Sequence, residues 1–408
     1  MRTLTGGFGA AVVPGPIDCP LSGSAMPLSC IPSSSSSNGS QSPRPASPTT
    51  SAKSDETKAR VDALWARLEN LSHRQNWAFD DNEVPSNASR VPCGRNNVIK
   101  VPAPNGRETA VHANKIGPNT GSPAPYYAAG QSPQQNFSLD NMLVQGIESG
   151  LGIYQFVSHR AHTTDCNSSK KTILAMLNER IEHEKNSENS DGTIIAGKYK
   201  VLRFDDLQDH YDPYSQYILE VEEINTNPRN IISIPITQAG LEFTGAVLKP
   251  AAINMARLAL EGHRAILANK SCRANTAQID PLILSHAGIG RNATLITYDR
   301  IYKLIHNPGL NVRIDASNLE EKLFELIKEG RLSRGPRFLH SQQQLAALYA
   351  ALLDQIAERE NKNPDNRKKS VTFRDAHIRH NWHNWHKRFS STNPLKQFFT
   401  STKNKTAK

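Results

Sequence analysis

The residues best placed to do chemistry lie between Pro281 and Ile305. Pro281-Leu-Ile-Leu284 is a short apolar run of the kind that suits a buried strand. Ser285-His286-Ala287-Gly288-Ile289-Gly290-Arg291 follows, and two glycines one residue apart permit positive φ and a tight loop. Leu295, Tyr298, Ile301 and Ile305 then recur at helical spacing, which predicts a helix from about Asn292. Strand, glycine loop and helix N-terminus bring backbone N–H groups together where the helix dipole favours an anion. Arg291, at the helix mouth, can add a two-pronged hydrogen bond to a phosphate. The pattern is that of a phosphate cradle built from residues 286–291.

The stretch Leu284-Ser285-His286-Ala287-Gly288-Ile289-Gly290-Arg291-Asn292-Ala293 resembles the signature loop of protein-tyrosine phosphatases of the tyrosine-specific type, similar to those that bacterial pathogens inject. That family writes His-Cys-x-Ala-Gly-x-Gly-Arg-Ser/Thr-Gly between a strand and a helix. Ala-Gly-x-Gly-Arg is kept here, and Ser285 occupies the nucleophile position. The resemblance implies an α/β fold, a phosphatase-like sheet flanked by helices, and phosphotyrosine as the bound group. It reaches three further places in family order, about half of the chain in all. Lys198-Tyr199, followed by Val201, Leu202, Phe204 and Asp205, is similar to the substrate loop. Tyr199 would stack on a phosphotyrosine ring and Asp205 would assist, although the family spaces them one residue further apart and has proline where Arg203 stands. The strand Ile231 to Ile236 leads into Thr237 to Gly245, which looks like the general-acid loop. Glu242 takes the aspartate's place, with Gly240 and Leu241 in place of tryptophan and proline. Arg337 to Leu345 is similar to the loop whose two glutamines place the hydrolytic water: Gln344 matches the second, and His340 stands in for the first.

The family mechanism needs a thiolate to attack phosphorus. A serine hydroxyl is almost fully protonated at neutral pH, and His286, its neighbour in sequence, should point away from the cradle floor. Glu242 is a methylene longer than aspartate, and proton transfer requires hydrogen-bond reach. Leu284 replaces the family histidine and Asn292 the hydroxyl residue. No aspartate motif or metal-ligand cluster offers a metal-assisted route, and no cofactor is implied. Cys272, in Ser271-Cys-Arg-Ala-Asn, lacks the glycines and arginine of a signature and is a decoy. Anion binding, by contrast, rests on backbone N–H groups, a helix terminus and Arg291, all retained. The leading expectation is therefore a phosphotyrosine-binding protein with impaired catalysis. Two others stay open: an active phosphatase using an unusual route, and an interaction protein acting through an N-terminal helix or a basic tail.

Composition says how these elements are carried. Only 37% of the 408 residues are hydrophobic and 6% aromatic, too few for a chain that is globular throughout. Residues 1–54 are rich in serine and proline, which predicts disorder. Their polar, acid-poor texture is similar to the N-termini of proteins that bacteria inject into host cells, and reads as a secretion signal recognised by a chaperone. On that reading the protein is secreted into a host cell without a signal peptide; otherwise it is cytoplasmic. Residues 55–72 form an amphipathic helix through Val61, Leu64, Leu68 and Leu71, whose apolar stripe docks on the domain or binds a partner. Residues 73–150 read as a mostly disordered linker, 151–360 as the phosphatase-like domain, and 361–408 as a basic tail. Within the domain, helices are predicted over Lys171–Glu184, Leu248–Leu267 with Pro250 in the first turn, and Gln342–Ala357. Ser317-x-x-Glu320 reads as a capping box opening a helix through Ile327.

In the tail, His377, His380, His383 and His386 recur every third residue. That spacing drifts by about 60° per step on a helix, so the four cannot share one metal ion. With Trp382 and Trp385 they read either as a terminal helix docked on the domain or as a basic-aromatic surface suited to anionic membrane or phosphate-rich partners. The formal charge of +10 favours phosphorylated proteins or anionic lipid as partners, with nucleic acid the weaker candidate. Five scattered cysteines show no C-x-x-C spacing and predict neither a disulfide framework nor a zinc site.

Overall fold

The computed structural model describes residues 50–74, 97–102, 107–117, 126–133, 136–158, 172–186, 192–207, 214–241, 243–244, 247–269, 279–307 and 314–361. The first 49 residues, the basic tail after Asn361, Cys272 and Glu242 lie outside them.

The architecture is mixed α/β. A nine-stranded sheet runs in the order β1-β2-β3-β11-β4-β8-β7-β6-β5. Its strands are β1 (Val98–Pro102), β2 (Glu108–Ile116), β3 (Tyr126–Gln131), β4 (Ile153–Ser158), β5 (Ile194–Ile195), β6 (Tyr199–Asp206), β7 (Tyr214–Glu223), β8 (Asn230–Leu241) and β11 (Ile279–Ser285). A short antiparallel pair, β9 (Phe243–Thr244) and β10 (Val247–Leu248), stands apart. The helices are α1 (Thr50–Arg74), α2 (Asn136–Ser149), α3 (Ile173–Lys185), α4 (Pro250–Asn269), α5 (Arg291–His306), α6 (Leu319–Arg334) and α7 (Gln342–Asn361). β3, β11, β4 and β8 are mutually parallel, so their C-terminal ends share one edge of the sheet. In open α/β sheets that edge is where ligands bind.

Both faces of the central strands are covered. Ile283, Tyr154 and Phe156 join one core with α1, α4, α5, α6 and α7, while Leu282, Leu284 and Ile153 join a second with α2 and α3. A strand buried on both sides needs no polar alternation, which is why β11 reads as a continuous apolar run.

The stretch 73–150 is not a linker, because three strands and a helix of the main sheet lie within it. Its low apolar content has a packing cause. A Cβ on Gly130 would lie 2.8 Å from Ala113 Cβ and 2.9 Å from Leu284 Cδ2, so β2 and β3 meet β11 through small residues. The domain accordingly starts well before residue 151. β8 also runs further than Ile236, through Gly240 to Leu241, so the stretch read as a loop begins as paired strand. The capping box at Ser317 does not form: Ser317 Oγ donates to Asp315 Oδ1, and α6 begins after Asn318 with no side-chain cap.

α1 packs Val61, Leu64 and Leu68 into the core. Arg60 pairs with Glu320 at 3.1 Å and Arg67 with Glu321 at 2.8 Å, and Gln342 donates to Asp62. The apolar stripe of this helix is therefore covered by its own domain, not left for a partner.

His263 of α4 is fully buried between Thr237 of β8 and Leu151. A carbonyl can only accept, so Nε2–H donates to Leu151 O at 2.8 Å, and Nδ1 accepts from the Thr237 hydroxyl at 2.9 Å. Burial holds the ring neutral, with its pKa pushed down to about 4. The unfolded chain takes up this proton near pH 6.5 and the folded chain only near pH 4, so stability is lost as pH falls between the two. The full loss is about 3 kcal/mol. Denaturant unfolding at pH 7.5 and 4.5 should show a larger acid loss for the native chain than for His263→Gln; equal losses would remove this account.

Candidate functional site

β11 delivers Ser285, 2% exposed, to the ligand edge of the sheet, and α5 starts six residues later at Arg291. The loop between them is defined by where its carbonyls go. Ser285 O accepts from Ser132 N at 2.8 Å and from Gly288 N at 3.1 Å. Gly288 O accepts from Arg334 Nε at 3.3 Å, and Ile289 O from Leu339 N at 3.2 Å. Gly290 O accepts from Thr294 N at 2.9 Å and from its hydroxyl at 3.1 Å. A trans peptide holds its C=O and N–H antiparallel. With these four carbonyls bound to the framework, the N–H groups of His286, Ile289, Gly290 and Arg291 face the other way, into the hollow of the loop. No side chain caps α5 at Gly290, and the first-turn N–H groups of a helix have no intrahelical partner. The result is a concave set of donors at the positive end of a 16-residue helix.

The two glycines have separate reasons. Gly288 sits at φ +69°, and a Cβ there would lie 2.5 Å from Gly130 C and 2.7 Å from Gln131 N. Gly290 has an ordinary φ of −86°, but a Cβ there would lie 2.3 Å from Gln344 Nε2 and 2.9 Å from His340 Nδ1. Both Gln344 and His340 therefore stand over the cradle, as the sequence spacing requires. Gln344 is 1% exposed, and its Oε1 accepts from the backbone N–H of His340 at 3.1 Å.

Behind the loop, Arg334 of α6 is fully buried. Besides Gly288 O it reaches Asn114 Oδ1 at 2.8 Å and His112 Nδ1 at 3.0 Å, tying the cradle to β2. Asn292 donates to Gly130 O at 2.9 Å and Ile283 O at 2.8 Å, which clamps α5 to the ends of β3 and β11. Further along α5, Asp299 is buried and accepts from Tyr127 Oη and Arg264 Nη2, each at 2.7 Å, with Lys303 Nζ at 2.9 Å. Burial alone would raise its carboxyl, but Arg264 and Lys303 outweigh that and hold it well below the usual range. This network fixes the direction in which α5 points. Arg291 is half-buried, and desolvation lowers its guanidinium to about 10. A cation so placed gains from any anion that enters.

Of the residues singled out in the sequence, Ser285, His286, Ala287, Gly288, Ile289, Gly290, Arg291 and Gln344 come together. The side chain of His286 is exposed. Tyr199 and Asp205 do not join them. β6 lies four strands from β11, roughly 19 Å at normal strand spacing. Tyr199 pairs with Glu223, itself opposite Asn230 at the start of β8, and so sits at the far end of the sheet from the cradle. Its hydroxyl donates to Glu148, and burial, then Glu148, push it up to about 12. Asp205 pairs with Arg203 at 2.7 Å. These two are structural residues of the sheet's outer half. Glu242, at the general-acid position, lies outside the described residues, one position beyond the end of β8. Arg334, His112, Asn114, Ser132 and Asn292 were missed as site residues. Among the described residues, no group of three His, Cys, Asp or Glu side chains could hold a metal ion, and no helix is long and apolar enough to cross a membrane.

No protein-family model and no curated protein matches the sequence. Among solved structures, the chain is similar to PTPN18 in complex with HER2-pY1196 phosphopeptides, at 14% identity and a TM-score of 0.48. The match covers 75% of this chain and 92% of that one.

The contacts at Gly288 make a direct test of the loop. Gly288→Ala combines a left-handed φ with a clash against backbone that cannot swing aside. It should cost at least about 2 kcal/mol in denaturant unfolding and abolish sulfate binding in calorimetry. A stable variant that still binds sulfate would refute the geometry.

Proposed function

We propose that the protein binds phosphotyrosine, or a similar phosphate group, on target proteins, and that its cradle holds the phosphate without turning it over. The observation that carries this reading is the outward commitment of the carbonyls of Ser285, Gly288, Ile289 and Gly290, which aims the intervening N–H groups at one point. A phosphate dianion seated there takes N–H donors on its equatorial oxygens, and Arg291 supplies a two-pronged bond at the mouth. Ser285 is buried at the base of the loop, and on this reading its neutral hydroxyl removes the repulsion that a thiolate would exert on the dianion. The same hydroxyl is a poor nucleophile without a base to take its proton. Asn292, where the family has a hydroxyl residue, spends its amide on two backbone carbonyls and takes part in no proton transfer.

Titration with a phosphotyrosine peptide tests the reading. Arg291→Ala should weaken binding by at least about tenfold, the scale of a charge-assisted bidentate contact; equal affinity in the two proteins would end it. The native chain is expected to leave an aryl phosphate unhydrolysed. Turnover that disappears in Ser285→Ala would instead establish an active serine enzyme. Ser285→Cys separates the causes: gained hydrolysis assigns the inactivity to serine alone, and continued inertness extends it to Leu284, Glu242 and Asn292.

The setting we propose, delivery into a host cell without a signal peptide, rests on the serine- and proline-rich composition of residues 1–54. A reporter fused to residues 1–100 that stays inside the producing cell would remove it.

A further inference from the structure

The cradle has a titratable side chain at its mouth. His340 Nδ1 and Cε1 lie 2.9 and 3.0 Å from the point where a side chain on Gly290 would begin. Gly290 is the N-cap of α5, so the imidazole stands beside the N–H groups that face the hollow. Its backbone is anchored on two sides. The N–H of His340 donates to Gln344 Oε1 at 3.1 Å, and the preceding Leu339, at φ +57°, donates its N–H to Ile289 O at 3.2 Å. The side chain itself is exposed, and among the described residues no hydrogen bond engages its ring. It is thus a group with a fixed root and a free end, set against a helix N-terminus.

We propose that protonated His340 is a direct ligand of the anion in this cradle, so that the affinity for a dianion rises as pH falls. The inference rests on the phosphate-binding reading of residues 285–291 and adds a ligand that the loop itself does not contain.

The surrounding charges fit this role. On its own segment the neighbour is Arg337; the cradle and α5 bring His286 and Arg291; α6 brings Arg331 and Arg334; β2 brings His112, held by Arg334. From α1, Asp62 accepts from Gln342, and Glu69 acts on Arg331. Loss of water around the imidazole, then Arg337, lower the His340 pKa from its ordinary value. A dianion at the helix mouth reverses the local field and favours the imidazolium. Anion binding and proton uptake at His340 are then linked, each promoting the other. A glutamine at this position, as the resemblance would have it, could offer an amide hydrogen but no charge.

Inorganic sulfate is the right probe. It stays a dianion from pH 5 to 8, whereas a phosphate monoester gains a proton near pH 6. Calorimetric titration should show sulfate affinity rising about tenfold from pH 8 to pH 5, the scale of one added charge-assisted contact. Heats measured in buffers of different ionisation enthalpy should show proton uptake at pH 6. In His340→Gln the pH 5 to pH 8 ratio should fall to within about twofold and the uptake should vanish, while His306→Gln, at the opposite end of α5, should keep the native ratio. An unchanged ratio in His340→Gln, or a ratio lost in His306→Gln instead, overturns the role of His340 and leaves the cradle standing. Absence of sulfate binding by the native chain at every pH overturns the cradle reading and this inference with it.

Discussion

The structure of the site depends on one constraint: the carbonyl oxygens of the 285–290 loop must find donors on the outside. A buried carbonyl left without a donor costs about 1–3 kcal/mol, and a loop of this shape has several. Ser132 N, Leu339 N, Thr294 and Arg334 meet the need from β3, the segment before α7, α5 itself and α6. Arg334 shows how far the fold goes to do so. A fully buried guanidinium is expensive, yet here it spends its donors on Gly288 O, Asn114 and His112. The inward aim of the N–H groups follows from these outer bonds. It does not require an anion to be present, so the cradle is preorganised.

The same arrangement draws on groups at the loop whose side-chain chemistry it does not use. Ser285 contributes its carbonyl to two bonds that shape the loop, and those are indifferent to whether its side chain ends in oxygen or sulfur. Asn292 uses its amide to clamp Gly130 and Ile283, a structural role that fixes the start of α5. Leu284 sits in the core beneath the sheet, where it touches the space above Gly130. Each of these residues is well accommodated as packing, and the aim of the loop's N–H donors does not depend on the chemistry of their side chains.

What was legible in the sequence was local. The strand, loop and helix around Ser285 could be read because glycine spacing and apolar periodicity act within a few residues. Gln344 and His340 were singled out by resemblance to a family loop, and both side chains lie beside Gly290. Most of the misreadings turned on partners distant in sequence. β2 and β3 were taken for linker because their tight approach to β11 demands alanine and glycine, which look like a lack of core. His112 and Asn114 make sense only beside Arg334, some 220 residues away. Tyr199 was singled out because Lys198-Tyr199 and the residues after it resemble a substrate loop, but only the sheet order shows that its strand lies on the outer half. The box at Ser317 failed through competition: Asp315 takes the serine hydroxyl that the helix end would have used.

Those long-range contacts also make α1 part of the site's support. Arg331 of α6 donates to Leu68 O on α1, to Phe338 O at 3.3 Å and to Leu339 O at 3.4 Å, with its guanidinium 5.6 Å from the Trp65 ring. Burial lowers this arginine to about 10, so its charge is held in place by carbonyls and an aromatic face. Leu339 is the residue whose N–H binds Ile289 O in the cradle, and its neighbour carries the His340 imidazole. Four links therefore join the N-terminal helix to the anion site: Leu68 O, the Arg331 guanidinium, Leu339 and Ile289. If α1 were displaced, Arg331 would lose a carbonyl partner in a buried setting, and the segment that holds both His340 and Gln344 over Gly290 would lose part of its anchor. The helix that the sequence offered as a separate module is, by these bonds, the outermost brace of the 285–291 loop.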